Sequence, residues 1–165
     1  MCWLCDHPEA SRKEYLDYIY DISVRNGWAI QYVEAEPTPW AYTIGLHECG
    51  LPELLITAVD TDRARLVLNT VARYCIEYDG TVLPGDTMGL PDQLLEFVEV
   101  AEPHAHMGVA VEIYGPDVTA LQLVWADEAY EFPWSPLFNP GGVRQPVLGV
   151  RETRCPLHRS PRGRR

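Results

Sequence analysis

The sequence predicts an α+β fold: a mainly antiparallel sheet with two or three helices packed on one face. Three observations carry that reading. Two stretches, residues 12–26 and 61–79, repeat apolar side chains every three or four positions. Short apolar segments lie between and after them, separated by proline and glycine. The breaks among the first of these segments are too short for a helical crossover, so neighbours should pair antiparallel.

The elements follow in order. Ser11 and Glu14 have capping-box spacing; Leu16, Ile19, Tyr20 and Ser23 share one face, and Gly27 supplies the left-handed stop, giving a helix over 12–26. Trp28 to Glu34, Ala41 to Leu46 and Glu53 to Val59 read as strands of a meander, broken by Pro37 and Pro39 and then by Gly50 and Pro52. Asp60 or Thr61 caps a second helix in which Ala64, Val67, Leu68, Val71, Ala72 and Cys75 recur until Gly80. Residues 81–93 read as a loop and Leu95 to Val100 as a strand. His104 to Tyr114 fits a helix starting near Pro103 or a strand, with the helix favoured. Val118 to Trp125 is a further strand, to which Tyr130 to Phe132 could pair across the turn at 126–129. From Pro133 onward the chain is proline-rich and aperiodic and should wrap the surface.

The 165 residues suit one domain, placed at 1–150, with a basic extension over 151–165. At 47% hydrophobic and 22% charged, the composition is that of a globular chain rather than a disordered or fibrous one. The net charge of −11 is uneven: 151–165 holds six of the 13 basic residues against the single acid Glu152, leaving seven basic and 23 acidic residues in 1–150. Such a body repels polyanions, so nucleic acid is a poor partner, and the arginine-rich end reads as a solvated terminus. No run of about 18 apolar residues offers a membrane span, and the first residues lack the pattern of a secretory signal, so the expected location is cytoplasmic.

Metal-like spacing occurs at both ends. Cys2-Trp3-Leu4-Cys5 is a Cys-x-x-Cys and Cys155-Pro156-Leu157-His158 a Cys-x-x-His. Two intervening residues let a tight turn aim both donors at one ion, and four thiolate and imidazole donors suit tetrahedral zinc. Since chain ends often lie close together, Cys2, Cys5, Cys155 and His158 are the candidate ligands of a structural zinc that staples the termini. His7 is an alternative to His158, and Cys2 and Cys5 could instead be free thiols or a labile disulfide. A thioredoxin-like role fits poorly, because no strand precedes position 2.

Candidates for chemistry elsewhere are sparse. Cys49, beside His47, could be a thiol nucleophile, although a neighbour in sequence is not an oriented base and an ordinary loop is favoured. Cys75 reads as a small buried hydrophobe. His104 and His106 would share a face on a strand and diverge on a helix, so a metal site there depends on that element. No phosphate-binding glycine loop, zincin helix or serine-hydrolase elbow occurs, and no catalytic residue is assigned.

Several blocks carry a resemblance: Gly27-Trp28, Trp40-Ala41-Tyr42-Thr43-Ile44-Gly45-Leu46, Leu51-Pro52-Glu53-Leu54, Tyr114-Gly115, Leu121-Gln122-Leu123-Val124-Trp125-Ala126-Asp127, Phe132-Pro133-Trp134 and Gln145-Pro146. Over roughly Cys2 to Gly149 the chain resembles the bacterial domain of unknown function family 4262. That resemblance implies no activity, and Cys155-Pro156-Leu157-His158 falls outside it. Within these blocks Tyr42, Thr43, Gln122, Trp125 and Asp127 are polar or amphipathic residues on adjacent predicted strands, the makings of a small-molecule pocket. The competing reading is that the tryptophans pack the core, Gly45 permits a bulge and Asp127 starts a turn. The leading functional expectation is a binding or interaction domain, stapled by zinc, whose partner is a small molecule or protein. The alternative is a small enzyme, either a thiol-dependent hydrolase at Cys49 and His47 or an oxidoreductase-like pocket around Tyr42 and Trp125.

Overall fold

Ser11 starts the first long helix as its spacing with Glu14 predicts. In the computed structural model, which describes residues 3–78 and 80–152 (the side chains of residues 4 and 5 excepted), the Ser11 hydroxyl accepts the Glu14 amide and the Glu14 carboxylate accepts the Ser11 amide. This capping box opens α2 (Arg12–Asn26), and Gly27, at φ 90°, ends it. A single turn, α1 (Trp3–Asp6), precedes it, with the Trp3 indole stacked on the rings of His7 and Tyr18.

The three strands that follow, β1 (Ala29–Val33), β2 (Trp40–Ile44) and β3 (Glu53–Thr57), form the expected antiparallel meander. Asp60 then caps α3 (Thr61–Glu77) by accepting the Arg63 amide. Beyond it lie β4 (Thr87–Leu90), β5 (Gln93–Glu99), the short helices α4 (Pro103–His106) and α5 (Gly108–Tyr114), and β6 (Ala120–Trp125). The six strands make one sheet in the order β1-β2-β3-β6-β5-β4. All its pairings are antiparallel except that of β6 with β3, so the last strand inserts between the meander and the β4–β5 hairpin.

The α+β class and the mainly antiparallel sheet agree with the sequence, but the helices occupy both faces rather than one. Leu54, Ile56, Leu95, Phe97, Leu121 and Leu123 pack with α3 on one side, whereas Tyr42, Ile44, Leu55 and Ala120 pack with α2 and α5 on the other. The physical reason lies in the central strands. All five residues of β3 are buried, and such unbroken burial, instead of alternation, requires cover above and below.

Three further expectations are corrected. Residues 87–90 are not loop but β4, a four-residue edge strand disguised by Gly89 and the flanking Pro84, Gly85 and Pro91. Tyr130 to Phe132 forms no strand; the Asp127 carboxylate gathers the amides of Ala129 and Glu131 and closes a turn there. Gly45, at φ 135°, makes a close approach rather than a bulge: a Cβ on it would sit 2.9 Å from the Gly27 carbonyl oxygen and the Trp28 Cα. The helical reading of 104–114 holds, with a break at Met107 that separates α4 from α5.

From residue 133 the chain does wrap the surface, and its last described stretch is tied down as a strap across β5 and β6. The Gln145 side chain accepts the Trp125 amide at 3.0 Å and donates to its carbonyl at 2.9 Å, as a neighbouring strand would. Arg151 reaches the buried Glu96 carboxylate through two nitrogens, at 2.6 and 3.1 Å, while its guanidinium lies over the Trp134 ring. Among the described residues no helix is long and apolar enough to cross a membrane.

Candidate ligand-binding cleft

Because β3 and β6 run parallel side by side, their carboxyl ends emerge together, the place where ligands collect in α/β architectures. After Thr57 the chain turns at Ala58, whose φ of 60° is rare for a residue with a Cβ, and passes through Val59 to the cap of α3. After Trp125 it turns at Ala126 and Asp127. Between the two exits, and against Asp92 and Gln93 at the start of β5, lies a cleft of about 760 Å³.

Each wall is held from behind. The Trp125 indole N–H donates to the Thr57 carbonyl at 3.0 Å, and Phe138 packs against the ring at 5.5 Å. Arg63, one turn into α3, donates to the Gln93 side chain at 2.9 Å and so links helix to sheet across the cleft. Asp127 fixes the rim: its carboxylate accepts the amides of Ala129, Glu131 and Asn139 at 2.9, 2.9 and 2.7 Å. Those bonds favour the ionised form and hold its pKa below the ordinary value. Asp60, Asp92 and Glu128 add exposed carboxylates against the single guanidinium of Arg63.

Two of the five residues singled out in the sequence, Trp125 and Asp127, line this cleft; Tyr42, Thr43 and Gln122 do not. Tyr42 points to the α2 and α5 side, where its hydroxyl accepts the Val109 amide at 3.2 Å and burial pushes its pKa up to about 12. Gln122 spends its amide on the strap: it donates to the Thr57 hydroxyl and the Pro146 carbonyl, and accepts the Leu148 amide at 2.7 Å. Thr43 donates to the Glu53 carboxylate at 2.6 Å and accepts the Leu54 amide at 2.9 Å. Arg63 and Gln93 escaped sequence reasoning because nothing local joins a helix residue to a strand 30 positions later.

Glu53 is the other residue that went unnoticed, although a carboxylate opening the apolar run Leu54-Leu55-Ile56 is a visible anomaly. It is wholly buried, and besides Thr43 it accepts the amides of Gly45 and His47 at 2.8 and 3.1 Å. It thereby binds the end of β2 and the turn Leu46–Cys49 to the start of β3. Burial raises its pKa, and these bonds offset part of the rise.

The remaining candidates fall elsewhere. Cys49 is exposed on that turn, and the His47 ring packs on Tyr114 at 5.2 Å rather than bonding the thiol. His104 and His106 stand on α4, two positions apart and therefore diverging, with His106 edge-on to Trp40. The His7 imidazole is engaged with the Trp3 carbonyl at 2.9 Å. Cys2, Cys155 and His158, and the side chain of Cys5, lie outside the described residues. Among those described, no group of three or more His, Cys, Asp or Glu could hold a metal ion.

Residues 24–139 match a family model described as Domain of unknown function (DUF4262). No curated protein and no solved structure matches the chain.

Proposed function

The chain belongs to the DUF4262 family, and from that premise, which brings no activity with it, we propose that it is a binding domain whose small polar ligand sits in the cleft at the carboxyl ends of β3 and β6. The observation that carries this reading is the convergence there of an aromatic wall, Trp125, with a guanidinium, Arg63, that is pinned in place by Gln93. Pre-set polar groups beside an aromatic face cost little to organise on binding. Three exposed carboxylates on the rim against one arginine favour neutral ligands with a hydrogen-bond acceptor for Arg63 over phosphates.

A library of polar fragments screened by nuclear magnetic resonance on the full chain tests this. Hits should shift the Trp125 indole N–H together with the amides of Gln93 and Asn139, and Arg63→Met should weaken them about tenfold, the scale of a lost charged hydrogen bond. Hits that map away from these residues, or that ignore Arg63→Met, would overturn it.

The zinc staple is proposed alongside. What supports it is α1, the turn next to the Cys-x-x-Cys motif: Trp3 packs on Tyr15 and Tyr18, so α1 is moored to α2. The expected result is one zinc per purified chain, lost in Cys2→Ser and in His158→Ala; zinc retained by both variants would refute this ligand set.

A further inference from the structure

The amino ends of the same parallel strands border a second cavity, at the opposite end of the sheet from the polar cleft and of opposite character. It encloses about 400 Å³ under the loop 81–84, walled by Leu51, Leu54, Val82, Leu121 and the Cys75 thiol. Leu54, Leu121 and Cys75 belong to the core beneath α3, so the cavity is that core opening to the surface. Its volume lies within the range of small-molecule pockets, about 300–1,000 Å³. One ionisable carboxylate borders it. Glu99, the last residue of β5, alternates onto the α3 side with Leu95 and Phe97, is exposed, and its side chain makes no hydrogen bond or ion pair with any described residue.

An apolar chamber with a carboxylate at its mouth, free of partners among the described residues, complements a molecule of matching polarity. We propose that this pocket binds a small amphiphile with an aliphatic or aromatic body and a protonated amine or quaternary ammonium head, the body against Leu51, Leu54 and Leu121 and the head at Glu99. The burial of the body supplies most of the affinity, at about 25 cal/mol per Å² of apolar surface removed from water. The head supplies the choice of ligand, since the carboxylate repels an anionic amphiphile of the same length. Cys75 is a wall residue and free, so an occupant shields its thiol.

The test uses the full chain with octyltrimethylammonium, octanol and octyl sulfate, each below its micelle concentration. Affinity is measured by calorimetry and thiol modification by N-ethylmaleimide with peptide mass mapping. Octyltrimethylammonium should bind about threefold more tightly than octanol, the scale of an exposed ion pair, and octyl sulfate more weakly than either. It should slow modification of Cys75 and leave the exposed Cys49 unaffected. Glu99→Gln should lower the cation to the affinity of octanol, and Val82→Trp, which fills the chamber, should abolish both. Should Val82→Trp fail to fold, Glu99→Gln removes only an exposed charge and still decides. Equal binding of the three amphiphiles, an unshielded Cys75, or indifference to Glu99→Gln would overturn the proposal. Arg63→Met should leave this binding unchanged, which separates it from ligand capture in the polar cleft.

Discussion

A wholly buried carboxylate is costly unless its oxygens are satisfied, and Glu53 shows how that cost is contained. One hydroxyl and two amides converge on it, and the donors come from the blocks around Thr43 and Gly45 that lie ten and eight positions earlier. Gly45 is bound to the same locus by its close approach to Gly27 and Trp28. Because the native pKa of Glu53 is raised by burial, folding favours its protonated form. The stability this contributes is complete below the unfolded-state value, near 4.3, and is lost as pH rises through the raised native value. Glu53→Gln removes that titration and turns an NH₂ toward groups that are themselves donors, which should destabilise by about 1–3 kcal/mol. Urea unfolding should therefore give a wild-type advantage over Glu53→Gln that is larger at about pH 5 than at about pH 7. A difference that is constant across this window would show that Glu53 does not titrate there.

At the scale of elements, what the sequence revealed tracks how local the signal is. α2 and α3 were legible because their caps, Ser11 with Glu14 and Asp60, lie beside their apolar periods. β4 was not, since its four residues are strand only by virtue of pairing with β5. The same divide runs through the candidate site. Trp125 and Asp127 announced themselves as an aromatic and an acid at a strand end, whereas Arg63 and Gln93 meet only once α3 lies on the sheet. The strap is the extreme case, a segment without periodicity whose position is set by side chains of other elements. Gln122→Leu tests this: it leaves the Leu148 amide without its acceptor, while the Pro146 carbonyl keeps the Thr57 hydroxyl at 3.0 Å. Hydrogen exchange at Leu148 should quicken about tenfold, as expected for loss of a bond worth about 1.4 kcal/mol. Amides within α3 should keep their protection, and a uniform loss everywhere would mean that Gln122 supports the whole fold and not the strap.

For the molecule as a whole, the decisive feature is the single parallel pairing. Without β6 between them, the meander β1–β3 and the β4–β5 hairpin would share no strand contact, and the order of the sheet makes β3 with β6 the seam through which the two halves support each other. The two cores lie on opposite faces of this sheet, and β3 feeds both: Leu54 and Ile56 enter the one under α3, Leu55 the one under α2 and α5. Damage at the seam should consequently spread to both halves and both faces. Leu55→Ala, at a fully buried position, should destabilise by about 2–5 kcal/mol, and the loss should be felt equally by the Ile44 amide in the meander and the Phe97 amide in the hairpin. Native-state hydrogen exchange at increasing urea reads both amides in one experiment. Coincident opening energies for the two, lowered together by Leu55→Ala, are the expected outcome of one cooperative unit. If Ile44 lost protection in the variant while Phe97 kept it, the halves would be separable and the parallel pair would only join two independently stable pieces.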